Sequence, residues 1–250
     1  MDRPQTGILE NAALFLARKG RRAWSLRVTA KTQIGPRMTR VSFFGADLDE
    51  FDWKRGQDLV LELPRADGSV SRRHYTVRNH STKTMDIDFV LHGQGASAEW
   101  LDTLKTGDDV IAVGPRGHTY VREADWHLFS GDETCIPGIF AMLEGLDADD
   151  KAFAFLEVDS EADILPCATK AVVKIQWVLR RGAKAGPSSV MLDAIKAFEF
   201  MRGYGFAYVI GETSNVRGVR HHLLERGMPK DRIAAEGYWR PGRIGGHDHV

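Results

Sequence analysis

Through the first half of the chain, apolar and polar positions alternate with a period of two. Residues 22–30 (RAWSLRVTA) and 38–45 (MTRVSFFG) read as strands, separated by a Gly35-Pro36 turn signal. Further strands are predicted over 58–63, closed by a turn across 64–68, and over 72–78, 85–92 and 107–114. The pattern also predicts a helix over 97–105 and a short amphipathic helix over 9–20, with Leu9, Ala13, Leu16 and Ala17 on one side. Six or so short strands at near-regular spacing suggest an antiparallel barrel.

After about residue 122 the pattern changes. A short apolar strand over 126–130 precedes a helix over 134–146 with Pro137 in its first turn. Residues 152–158 form a continuous apolar run, the mark of a strand buried on both faces. Strands follow over 172–179, 206–211 and 233–239. Between them lie a helix over 188–201, with Val190, Ala194, Ala197 and Phe198 on one face, and a helix over 215–226 stopped by Gly227. Such alternation implies a mainly parallel sheet with crossover helices. The expected organisation is therefore two domains, 1–122 and 123–250, an antiparallel β-barrel followed by an α/β unit.

Composition narrows the function. Lys plus Arg equals Asp plus Glu at 34 each, so a globally basic nucleic-acid binder is not expected and any anion site must be a local cluster. Two cysteines, Cys135 and Cys167, cannot make a disulfide framework or a four-thiolate cluster. No stretch reaches eighteen apolar residues, and the run at 12–17 is too brief for a signal or a span. The expectation is a soluble, cytoplasmic monomer without membrane insertion.

Local clusters carry the chemistry. The stretch Arg72-Arg73-His74-Tyr75-Thr76-Val77-Arg78 alternates as a strand, with Tyr75 and Val77 on one face and His74, Thr76 and Arg78 on the other. An aromatic ring, a hydroxyl and three guanidinium groups suit a large planar anionic ligand. Gly93-Gln94-Gly95-Ala96-Ser97 precedes a helix whose first amides have no intrahelical acceptor, a place for a pyrophosphate. Residues 131–137 lie beyond the carboxyl end of a predicted strand, where open parallel sheets bind ligands. Cys135 there reads either as a thiol made acidic by a helix start or as a small buried residue. Ser214 reads as the cap of the last helix. Tyr238, Trp239 and Arg240 end the last predicted strand, where two rings and a cation could stack a planar group and pair an anion. No Gly-x-Gly-x-x-Gly follows any strand, and the tail His247-Asp248-His249 reads as a flexible end that offers no metal site.

Arg73, Tyr75, Thr76 and Arg78 match an Arg-x-Tyr-Thr-x-Arg signature of ferredoxin-reductase-like flavoproteins. With 88–97, Trp100 and 236–242, the chain resembles the siderophore-interacting proteins, flavin-dependent ferric-siderophore reductases, over nearly its whole length. The resemblance implies FAD as cofactor, with Arg73 on its phosphates, Tyr75 against the isoalloxazine and Thr76 near the reactive N5 edge. Val77, Arg78, Gly93, Gly95, Ala96 and Ser97 complete the implied cofactor strand and loop, with His92 beside the flavin. Family members often carry Pro where this chain has Gln94 or Gly95. Residues 132–137 resemble an Asp-Glu-Thr-Ala-x-Pro segment with Cys135 in place of alanine, which adds Asp132 and Thr134 to the cofactor set. Tyr238 and Trp239 would cover the flavin, and Trp239 and Arg240 would meet a ferric siderophore. The donor is then NAD(P)H or a ferredoxin. A flavin reductase with another acceptor, or a siderophore-binding accessory protein without catalysis, also fits these residues.

Overall fold

The computed structural model describes residues 22–91 and 95–242, with the backbone of Asp248–His249. The helix expected over 9–20 lies outside the described residues. In the first half the strands are β1 (Ala23–Gly35), β2 (Met38–Phe44), β3 (Asp58–Pro64), β4 (Val70–Thr76), β5 (Asn79–Ser81), β6 (Thr84–Val90) and β7 (Asp109–Arg116). Helix α1 (Ala96–Thr103) sits between β6 and β7. All pairings are antiparallel, in the order β4-β3-β7-β1-β2-β6-β5.

Alternation explains the core. Leu26 and Val28 of β1, Leu59, Leu61 and Leu63 of β3, and Met85, Ile87 and Phe89 of β6 all point inward and are buried. The sheet curls until its ends meet, with the Tyr75 ring of β4 4.3 Å from that of Phe89 on β6. Phe89 in turn lies 5.5 Å from Trp100, so α1 plugs the barrel end. The strand predicted over 72–78 stops at Thr76, because the next amides turn away: Val77 N–H donates to Gln57 and Arg78 N–H to Asp86. Strand β5 has three residues, too short for a periodicity.

The second half holds β8 (Trp126–Asp132), β9 (Lys151–Val158), β10 (Val172–Leu179), β11 (Gly205–Glu212), β12 (Ile233–Trp239) and β13 (Asp248–His249). Their order is β10-β9-β8-β11-β12-β13, parallel through β12. Every residue of β8 and β11 is buried, because helices cover both faces. Helix α2 (Ile136–Leu143) is buried all round, between the sheet and the barrel. On the other face lie α3 (Val190–Lys196) and α4 (Thr213–Glu225).

Two expectations need correction here. Helix α3 is half the predicted length, and it buries Met191 and Ile195 rather than the face with Val190 and Ala194. Phe198 and Phe200 leave the helix and pack on the Trp126 ring at 6.0 and 5.7 Å, so aromatic burial ends it. Nor is the backbone at Asp248–His249 a loose tail: it pairs antiparallel with Glu236 and Gly237 on β12.

Side chains join the two halves. Arg78, just past β4, forms a two-pronged pair with Glu144, just past α2, at 2.6 Å on each prong. Arg37 in the β1–β2 turn reaches Asp163 at 2.7 Å, and Thr119 donates to Glu236 at 3.0 Å. At Gly138 a side chain would stand 3.0 Å from Thr76 Cγ2, so only glycine lets α2 approach β4 this closely.

Candidate functional site

The end of β4 and the start of α1 converge. The Tyr75 hydroxyl donates to the Ser97 hydroxyl, and burial pushes the Tyr75 phenol up. Arg73 is half-buried, donates to the Arg72 carbonyl at 2.9 Å, and has no carboxylate partner among the described residues. Arg72, by contrast, is paired with Glu62 at 2.8 Å. Helix α1 starts at Gly95 without a side-chain cap, and a Cβ at Gly95 would meet nothing within 4 Å. Ala96 and Ser97 thus begin, beside Tyr75, a helix whose first amides have no intrahelical acceptor. His92 and Gly93 lie outside the described residues.

Val77 and Arg78 are placed differently from this cluster. Val77 is fully buried in the barrel core, which leaves only its backbone for a ligand. The Arg78 guanidinium is buried and engaged by Glu144, with Asp88 3.7 Å away. It joins the two halves instead of facing an anion. Thr76 is buried where the halves touch, and its hydroxyl bonds the hydroxyl of Tyr238. Burial pushes the Tyr238 phenol well above its usual range.

At the carboxyl ends of β8, β11 and β12, Asp132 is the hub. Its carboxylate accepts from the Thr134 amide at 2.9 Å and from the Thr134 hydroxyl, and from the Glu212 amide and Trp239 Nε1 at 2.9 Å each. Those donors stabilise the charge, yet burial dominates and pushes the Asp132 carboxyl up. Gly211, at φ 135°, has to be glycine, since a Cβ would lie 2.8 Å from Asp132 Oδ2. Asp132, Thr134 and Trp239 are therefore brought together, but by holding one another. Arg240 is exposed just beyond β12.

At this edge one sequence reading changes and one open alternative closes. Glu212, not Ser214, caps α4: its Oε2 accepts from the Ser214 and Asn215 amides at 2.8 and 2.9 Å. Its Oε1 has no hydrogen-bond partner among the described residues, and Glu212 lines a cavity of about 10 Å³, the lower bound for one water. Cys135 is fully buried, and burial with the nearby Asp132 pushes its thiol well up, so the reading as a small buried residue holds.

Two charged clusters have no counterpart in the sequence reading. Arg180 is buried between Glu133, at 2.6 Å on both prongs, and Glu157 at 3.2 Å. On the barrel, His74 lies between Asp58 at 2.7 Å and Arg116 at 3.2 Å. A charge inside an apolar run, as with Glu157 in AFAFLEV, was the available signal for the first. The second depends on strand register, which sequence does not show.

Both halves match known protein families. Residues 59–119 match the siderophore-interacting FAD-binding domain, and residues 124–242 match the siderophore-interacting protein model. The ferric vibriobactin reductase ViuB of Vibrio cholerae is 30% identical over 239 residues, covering 85% of this chain and 88% of that protein. The chain belongs to the siderophore-interacting protein family. Among solved members, a siderophore utilization protein from T. fusca superposes with a TM-score of 0.82 at 31% identity, covering 90% of this chain and 95% of that one. The fold extends beyond the siderophore-interacting proteins. A ferredoxin reductase of carbazole 1,9a-dioxygenase, 16% identical, superposes with a TM-score of 0.71, covering 86% of this chain and 68% of that one. No helix among the described residues is long and apolar enough to cross a membrane.

Proposed function

We propose that this protein is an FAD-dependent reductase of ferric siderophores, moving electrons from NAD(P)H or a ferredoxin through flavin to Fe(III). Release of Fe(II) in the cytoplasm would then serve iron acquisition. One observation carries the reading: Arg73, a guanidinium without a carboxylate partner among the described residues, stands beside the linked hydroxyls of Tyr75 and Ser97 at an uncapped helix start. Forked donors, free amides and a ring edge in one place are the donor set that a flavin pyrophosphate requires. The residues present therefore fit FAD. When bound, FAD supplies a centre that accepts two electrons and gives them up singly.

In this reading Arg73 and the α1 amides hold the phosphates, and Tyr75 with Ser97 lines the ring's approach. Thr76 and Tyr238 keep a hydroxyl pair at the junction of the halves. Trp239, fixed through Nε1 by Asp132, offers a ring face of set orientation. The siderophore itself holds the iron, so the reading requires no metal ligand from the chain. The family description and the ferric reductase relative support this assignment.

Purified protein should be yellow and release FAD on denaturation. Anaerobic reduction by NADH, NADPH or reduced ferredoxin, then mixing with ferric chelates, should reoxidise the flavin and yield Fe(II). Colourless protein that takes up no flavin on reconstitution would defeat the proposal. Arg240→Ala tests the substrate side. A partly exposed ion pair contributes about 1 kcal/mol and weakens with salt, so KM for an anionic ferric siderophore should rise several-fold. Reduction by the donor should be unchanged, and a neutral chelate should respond far less. Equal losses for chelates of every charge would instead give Arg240 a structural role.

A further inference from the structure

The outer face of β4 carries Arg72, His74 and Thr76, opposite Glu62, Val60 and Asp58 of β3. Asp58 is buried, and its Oδ2 lies 2.7 Å from His74 Nδ1. Arg116, ending β7, places Nη1 3.2 Å from His74 Nε2. A guanidinium has only donors, so Nε2 must accept, and the ring proton must be on Nδ1, donating to Asp58. The trio then carries no net charge, one guanidinium against one carboxylate.

A proton arriving at Nε2 would turn that acceptor into a donor facing a donor. The Arg116 bond must then break, while the Nδ1–Asp58 bond becomes charge-assisted and stronger. Arg116 is already loosely held: its Nε has no partner and stands 3.6 Å from Asp58 Oδ1. The trio also adjoins the junction of the two halves. Thr76, two positions from His74 on the same face, bonds Tyr238, and Asp58 acts electrostatically on that phenol. A Cβ at Gly117 would stand 3.0 Å from Asp58 Oδ1, and two residues on Thr119 donates to Glu236. The charged groups that face His74 include Asp58 on β3 and Arg116 on β7, with the Glu62–Arg72 pair one step along the strands. Glu236 and Tyr238 lie beyond them on β12.

We propose that His74 is a proton donor beside the junction of the two halves, oriented by Asp58 and loaded at Nε2 when Arg116 is displaced. The proposal rests on the reductase reading. One electron from the reduced cofactor converts chelated Fe(III) to Fe(II) and weakens its bonds to anionic oxygens. As one iron–oxygen bond breaks, the freed catecholate oxygen takes the Nε2 proton and an O–H bond forms. His74 returns to neutral and Arg116 regains its acceptor. Partly exposed, His74 then recovers a proton from solvent. A phenolic oxygen, titrating near about 10, needs that proton at neutral pH, whereas a carboxylate, near about 4, does not.

His74→Gln preserves the neutral arrangement, since the amide can donate to Asp58 and accept from Arg116, but it cannot carry the proton. Pre-reduced FAD-loaded protein would be mixed with ferric tris-catechol or ferric EDTA, following flavin reoxidation and Fe(II) capture separately. With the catechol complex, H74Q should leave flavin reoxidation unchanged, slow Fe(II) release by about 10²-fold and abolish its acceleration on acidification. Ferric EDTA should show no difference. Nitrogen NMR of the imidazole, with or without flavin, should find the proton on Nδ1 at alkaline pH. Identical release and pH profiles in both proteins would overturn the proposal, as would an Nε2–H tautomer or equal losses with ferric EDTA. Wild-type protein whose flavin neither chelate reoxidises would sink the reductase reading and this proposal with it. That outcome differs from a failure confined to the variant.

Discussion

Arg180→Ala should lower stability by about 3–5 kcal/mol, since removing one partner of a buried ion pair leaves uncompensated charge. Here two carboxylates would be stranded, Glu133 and Glu157, both buried at the carboxyl end of the parallel sheet. Burial works against the charge on Arg180, yet the two carboxylates more than offset it and hold its pKa above the usual arginine value. For a chain of this size the melting temperature should fall by about 10 °C. The loss should also depend on pH. Burial pushes the Glu157 carboxyl up, with Arg180 pulling the other way. A carboxyl raised in the folded state adds stability at acid pH, and that stability is lost as pH rises through its folded value. Without Arg180 the rise is larger, so the deficit should be greater at pH 8 than at pH 5. Calorimetry at both values checks this, and equal deficits would mean that the site is hydrated.

Arg73→Ala should weaken FAD binding by about 1.5–3 kcal/mol, or roughly ten- to a hundred-fold. The fold should be unaffected, because the side chain donates only to the adjacent Arg72 carbonyl among the described residues. Arg72→Ala is the matched control. It removes a neighbouring charge that Glu62 already neutralises, so FAD affinity should change little. Flavin fluorescence on dilution measures both. Equal effects from the two arginines would show that overall basicity, not Arg73, attracts the phosphates.

The architecture was largely legible in the sequence because both halves obey strong periodicities. The strands read over 38–45 and 58–63, and the apolar run over 152–158, differ from β2 (Met38–Phe44), β3 (Asp58–Pro64) and β9 (Lys151–Val158) by one residue at one end each. Sequence did less well where tertiary packing overrode local preference. Helix α3 ends early because Phe198 and Phe200 are drawn onto Trp126, and the residues at Asp248–His249 become a strand only by borrowing β12 as a template. Within the candidate site, the structure brings together Tyr75 and Ser97, which the sequence marks in two separate motifs. Individual partners could not be read. Arg73 and Arg78 look alike in RRHYTVR, yet one lacks a carboxylate partner and the other grips Glu144 from 66 residues away. Asp58, His74 and Arg116 meet only through the register of three strands.

The grip of Arg78 on Glu144 also bears on any attempt to dissect the chain. Cutting in the linker between β7 and β8 would separate the two sheets on paper. In the isolated barrel, Arg78 would lose both prongs of its pair, and Arg37 and Thr119 would lose Asp163 and Glu236. Helix α2, apolar on every side, would lose the barrel that covers it and present a sticky flank to solvent. Neither fragment would be a faithful miniature of the whole, and each would be inclined to aggregate. Work on this protein therefore calls for the intact chain, with changes made one side chain at a time.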